Sequence, residues 1–479
     1  MTHPDSGGSW QPTDPNSFTP QQAQPATPEG FHQTGPQPTQ PYQAQQPYQT
    51  QPYQAQQPYG QPAYGQQTAY YGYPAAQPPR RPRRGLLVGA AVAVLALVAG
   101  TVVTVVALEH GSSDGSATPT EAATKLVSAI SQSDIAGVLS SLTPAEASLV
   151  VDLNRDMAEE LKRLEVYKQD ADPDKLQGVE IKAENLRFDD AAAEPVNDHV
   201  TITKLVDGKV TVTSDARQLP LTDTFLDLAM DGASPTQETE TIDIGRQVRT
   251  SNEPIRIATV EVDGEWYPSL FYTIADYALT EADERWPAQP IAANGAENPG
   301  DAVRELAQAA LNADFRRVIE LLPPDEMGAL HDAGPVLLDA IAEDLEPTGV
   351  EITKLETDTA SVSGGTKVTL RELEIRAEGE TVSLRRDGDC YEGTADGDTE
   401  RLCAADLAEQ MGGSGLPRGA RQAMTNLATG LFKGGLGVVT VEVDGKYYVS
   451  PVRTFGEVFL TAMRSMQPED ITALINSGR

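Results

Sequence analysis

Reactive side chains are scarce in this chain of 479 residues. It has two cysteines, Cys390 and Cys403, too few for a disulfide-rich scaffold or a four-cysteine metal site. Five histidines, His3, His32, His110, His199 and His331, are scattered and match no zinc spacing. No G-x-S-x-G, phosphate loop or dinucleotide fingerprint stands between a strand and a helix, which disfavours a conventional hydrolase or kinase. The chain therefore reads as having no catalytic set, no metal and no cofactor. Basic residues are also few, 36 Lys and Arg against 70 Asp and Glu, for a net charge of −34. Of the acidic residues only Asp5, Asp14 and Glu29 precede residue 85. A surface this negative repels nucleic acid, so no nucleic-acid partner is expected.

Residues 1–79 have almost no aliphatic side chains to bury and are built from Pro, Gln, Tyr, Gly and Thr, with the near-repeat PYQAQQPYQTQPYQAQQPYGQPAYG from Pro41 to Gly65. Such a composition cannot offset the entropy of ordering a backbone and predicts a disordered tail, either a clustering arm or a passive one. A basic cluster over 80–84, Arg80, Arg81, Arg83 and Arg84, precedes an uncharged apolar run over 85–108. That run predicts a helix of about 35 Å, long enough for a ~30 Å hydrocarbon core. The arginines predict type II, single-pass topology in the cell membrane, with the tail cytoplasmic and the C-terminal part extracytoplasmic. Gly85, Gly89 and Ala93 recur every fourth residue, a face that allows helix pairing and a homodimer; the abundance of small residues also explains the spacing by chance. Tail, arginine cluster and apolar span together resemble many actinobacterial envelope proteins.

Beyond a linker at 109–117 one unit is written twice. Thr118 to Asp152 aligns with Asn298 to Asp332, and Leu142, Pro144, Glu146 and Asp152 match Leu322, Pro324, Glu326 and Asp332. TVEVDGEWYPS from Thr259 recurs as TVEVDGKYYVS from Thr440. Ordered matches at nearly constant offset indicate an internal duplication, with domains at 118–288 and 298–479 and a linker at 289–297. Each unit opens on helix signals. Thr118 with Pro119 and Glu121, Asn298 with Pro299 and Asp301, and Thr143 with Pro144 and Glu146 all have the form of N-terminal caps. In the second copy Pro323 replaces the capping threonine and predicts a weaker start. Strand periodicity follows, with tight hairpins expected at Asp207–Gly208, Gly364–Gly365, Asp263–Gly264 and Asp444–Gly445. The expected class is α+β, helices packed on a curved antiparallel sheet in each unit. Helices, then strands ending in V-x-V-D-G-x-[WY]-Y and a short helix, resemble the nuclear transport factor 2-like cone fold. The segment Arg217 to Arg249 and the cysteine loop depart from a compact cone, and no enzymatic residue pattern of that superfamily can be placed here.

Cys390 and Cys403, on the side assigned as extracytoplasmic, are expected to pair. The loop between them is rich in carboxylates, yet Tyr391 and Glu392 stand where a helix-loop-helix calcium site needs an oxygen ligand and a glycine, so a solvated loop is the favoured reading. Trp266, Tyr267, Tyr447 and Tyr448 follow the final turns and either line a pocket or finish the core. The functional expectation is a non-enzymatic binding or scaffold protein of the envelope, contacting a protein, a wall component or a ligand. The alternatives are a small-ligand or lipid carrier, or an enzyme, using a cone pocket, and transmembrane signalling.

Overall fold

The computed structural model describes residues 114–172, 177–231, 236–341, 346–412 and 417–477. The first repeat opens on α1 (Pro119–Ser131), α2 (Ile135–Ser141) and α3 (Pro144–Arg163). Thr118, Asp134 and Thr143 cap them, each side chain accepting the backbone N–H three residues on. The stripe of Ala122, Ala123, Leu126, Val127 and Ile130 on α1 is buried. There follow β1 (Val179–Phe188), β2 (Glu194–Pro195), β3 (Val200–Asp215), α4 (Asp223–Ala229), β4 (Gln237–Asp243), α5 (Ile244–Ser251), β5 (Ile255–Val262), β6 (Glu265–Pro268) and α6 (Leu270–Glu281). The sheet is antiparallel in the order β1-β3-β5-β6, with β2 and β4 also on β3. Helix α1 packs against β1, β3, β5 and β6.

The second repeat runs α7 (Pro299–Leu311), α8 (Phe315–Glu320), α9 (Gly328–Ile341), β7 (Glu351–Val362), β8 (Gly365–Ala377), β9 (Glu380–Asp387), β10 (Cys390–Ala395), β11 (Asp398–Cys403), α10 (Ala404–Gly412) and α11 (Arg418–Gly434). It ends with β12 (Gly437–Val443), β13 (Lys446–Ser450), α12 (Pro451–Ser465) and α13 (Pro468–Ser477). Thr366 faces Thr440 as Thr201 faces Thr259, so β7-β8-β12-β13 repeats β1-β3-β5-β6. The described residues thus form an α+β structure with two antiparallel sheets. The copies diverge where the sequence does: α4, β4 and α5 fill the insert of the first, and the β10–β11 hairpin widens the sheet of the second.

Three expectations need correction. No helix among the described residues is long and apolar enough to cross a membrane. The longest, α3, carries charges from Asp152 to Arg163 because it buries one stripe and solvates the rest. The transmembrane helix and the single-pass, type II reading are therefore withdrawn. The stretch 85–108 they were read from, with Arg80, Arg81, Arg83, Arg84, Gly85, Gly89 and Ala93, lies outside the described residues, as does the tail 1–79. Asp207–Gly208 is not a turn, since β3 runs unbroken through it and its register with β1 shifts there. Gly208 has φ +130°, and a Cβ would lie 3.0 Å from the Leu186 Cα, so glycine serves an irregular strand crossing. The other three two-residue turns form, closing β5–β6, β12–β13 and, at Ser363–Gly364, β7–β8. Pro323 does more than weaken a start: α9 begins only at Gly328, whereas its counterpart α3 begins at Pro144.

Cys390 and Cys403 face each other across β10 and β11 and are joined as a disulfide. Of the carboxylates around the hairpin, Glu392 is bonded to Arg385 (2.8 Å) and Asp387 to Arg401 (3.1 Å). Closing a loop of this size stabilises the fold by up to about 3 kcal/mol. Replacing both cysteines by serine is expected to lower the urea midpoint accordingly. The wild-type intact mass should rise by two hydrogens on reduction, and an unchanged mass would refute the bond.

Candidate functional site at the seam between the repeats

Three pairs of residues identical in both copies, Glu146 with Glu326, Asp152 with Asp332 and Ser269 with Ser450, lie where the copies meet. Helix α3 of the first repeat packs on α12 of the second, and the equivalent α9 packs on α6. Each repeat therefore lends its third helix to the helix that follows the other's final strand.

Glu146, on the first turn of α3, does not close a capping box as its spacing suggests. Its carboxylate reaches the start of α6, where it accepts from the Ser269 hydroxyl, from Leu270 N–H at 2.8 Å and from Phe271 N–H at 3.1 Å. These are free N-terminal donors of α6, and a carboxylate there is favoured by the helix dipole. Glu146 is 4% exposed. Burial pushes its carboxyl up from the usual range, while the Ser269 hydroxyl and both N–H groups pull it down. Glu326 repeats the device, accepting from Ser450 Oγ at 2.6 Å.

Three residues further along these final helices the copies differ. Arg453 stands in the second where Tyr272 stands in the first. The Arg453 Nε donates to Glu326 at 2.6 Å, and its Nη1 crosses to Asp152 of the first repeat at 2.7 Å. In mirror fashion the Tyr272 hydroxyl crosses to Asp332 of the second repeat at 3.0 Å. Asp332 also accepts from Asn197 Nδ2 at 2.9 Å and lies 3.0 Å from His199 Nε2. The hydrogen bond and charge of Asp332 raise the His199 pKa against the opposing effect of burial, with Asp198 and Glu261 adding to the rise. Burial, reinforced by Asp332, holds the Tyr272 phenol neutral. The Tyr272 ring stacks on Trp286 at 5.8 Å. At the far end of α3, Arg163 donates to the carbonyls of Met463 (2.6 Å) and Met466 (2.9 Å). There Leu164, Val166 and Tyr167 share a core with Met463.

Glu146, Glu326, Asp152 and Asp332 each accept from protein donors through at least one carboxylate oxygen. The arrangement fixes the two repeats against each other. Of the aromatics singled out from sequence, Tyr267 and Tyr448 are buried at 5% and 6% exposure. Trp266 and Tyr447 are half-buried, and their backbones bridge to Ser116 and Ala296. Tyr447 lines an open cavity of about 480 Å³ with Thr359, Ser361, Thr366 and Glu442. Its hydroxyl donates to Glu442 at 2.9 Å, and that bond pushes its pKa up. The aromatics do not meet at the seam; of the seam residues Ser269 closes the repeated TVEVDGEWYPS stretch, while Tyr272, Arg453, Asn197 and His199 carry no motif that marks them.

No protein-family model matches the chain, and neither a curated protein nor a solved structure matches it.

Proposed function

We propose that the chain is a non-enzymatic binding or scaffold protein whose locked repeats present a surface to a protein partner. One observation carries the reading. On α12, Phe455, Val458 and Phe459 follow helical spacing and are 72%, 46% and 42% exposed. Contiguous solvated apolar side chains of this kind mark a contact surface. The helix cannot turn to bury them, because Arg453 on another face is anchored by Glu326 and Asp152. A chain of net charge −34 favours a partner whose apolar contact has a basic rim. The Cys390–Cys403 bond supports an oxidising, extracytoplasmic compartment. The order of three helices, then antiparallel strands, in both repeats supports the nuclear transport factor 2-like resemblance.

The test places a photo-crosslinking residue at Phe455 in cells and, as a control, at Asp396 on the cysteine hairpin. A species captured from 455 only, and lost in Phe459→Glu, is the expected result; Phe459→Glu should leave the melting temperature unchanged. Capture of the same species from both sites overturns the reading. So does a purified dimer that Phe459→Glu abolishes, which would make a second copy the occupant. A small-ligand carrier is the second reading, favoured by the hydroxyl-lined cavity at Tyr447.

A further inference from the structure

Two of the segments that break the repeat pattern meet at one place. Helix α4 comes from the insert of the first repeat, and α13 follows the last matched stretch of the second. They pack together. Between them and the turn after α3 lies a groove of about 400 Å³. Its floor is Leu164, Tyr167, Phe225, Leu228 and Ile471, and Glu165 and Glu469 stand exposed at its rim. The remaining polar lining is neutral, including Gln169, Thr222 and Thr224. No lysine or arginine is among the lining residues. Lys168, next to Tyr167 in sequence, pairs with Asp223 at 3.5 Å.

The size is that of a small-molecule site. Two aromatic rings and two carboxylates, with no cation to neutralise them, suit a positive charge by ring quadrupole and by Coulomb attraction. The apolar floor suits a hydrocarbon body. Tyr167 sharpens the choice. It is 9% exposed, and its hydroxyl has no hydrogen-bond partner among the described residues. The oxygen opens onto the groove, where an ammonium N–H can donate to it.

We infer that this groove binds a small primary ammonium compound with an aromatic or branched hydrocarbon body. The charged end lies between Glu165 and Glu469 and the body rests on Phe225, Leu228 and Ile471. The inference does not rest on the α12 stripe, since Phe455 and Phe459 do not line the groove.

The test uses the full chain, with 2-phenylethylamine as probe and 2-phenylethanol and phenylacetate as neutral and anionic counterparts, titrated by ligand-detected NMR at neutral pH. The amine is expected to bind about tenfold or more tightly than either counterpart. Glu165→Gln with Glu469→Gln, both exposed, should weaken the amine about tenfold without moving the melting temperature, and Tyr167→Phe should weaken it less. Phe459→Glu should leave it unchanged. Equal binding of amine and alcohol, wild-type affinity in the double glutamine variant, or no binding of the amine would each overturn the assignment.

Discussion

Arg453→Ala is expected to lower the stability of the folded chain by about 3–5 kcal/mol, the usual cost of breaking a buried charge pair from one side. The Arg453 side chain is 9% exposed and the Glu326 side chain 4%. Removing the guanidinium leaves Glu326 with the Ser450 hydroxyl alone and strips Asp152 of a cross-repeat partner. The loss should appear in urea unfolding as a lower midpoint. Because Asp152 and Glu326 belong to different repeats, the transition should also split as the copies lose their coupling. A double-mutant cycle of Arg453→Ala with Asp152→Asn isolates the cross-repeat part. Additive losses would show that Arg453 acts within its own repeat only, and the seam would then owe its rigidity to the apolar contacts around Met463.

The location of these interactions explains what could be read in advance. Glu146 and Glu326, Asp152 and Asp332, and Ser269 and Ser450 are identical between copies, and that identity was visible. Their partners were not, because Glu146 meets Ser269 at a separation of 123 residues and Arg453 meets Asp152 at 301. The local pattern at Glu146 pointed to its own helix cap, and a distant helix terminus won the carboxylate. The same limit governs the Asp-Gly dipeptides. At Asp263–Gly264 and Asp444–Gly445 both residues adopt positive φ and the chain turns. At Asp207–Gly208 only the glycine does, because β3 continues through them, paired with β5 up to Leu205 and with β4 from Lys209. Periodicity and caps were legible because they depend on neighbours within a turn or two of helix. The seam, the α12 stripe and the groove by Tyr167 depend on which surfaces the second copy leaves bare, and no local pattern encodes that.

Asp332→Ala should cost about 2–4 kcal/mol, since the Tyr272 hydroxyl and the Asn197 amide both lose their acceptor in a buried place. The more specific expectation concerns pH. Asp332 raises the His199 pKa in the folded chain, so the stabilisation from protonated His199 is fully present below the unfolded histidine value of about 6.5. It is lost as pH rises through the raised folded value. Wild-type stability should therefore fall between pH 6 and 8, roughly, by more than that of His199→Gln or Asp332→Asn. The difference will be modest, because the His199 side chain is 41% exposed and solvent screens its pair. Groups facing this imidazole are Asp332 and Tyr272, with Asp198 and Glu261 nearby. The His331 ring nitrogens face the carbonyls of Ile291 and Leu322, and subtracting the His199→Gln curve isolates the His199 part. Urea midpoints measured across the window decide the matter: parallel curves for wild type and His199→Gln would show that Asp332 holds the seam through Tyr272 and Asn197 alone.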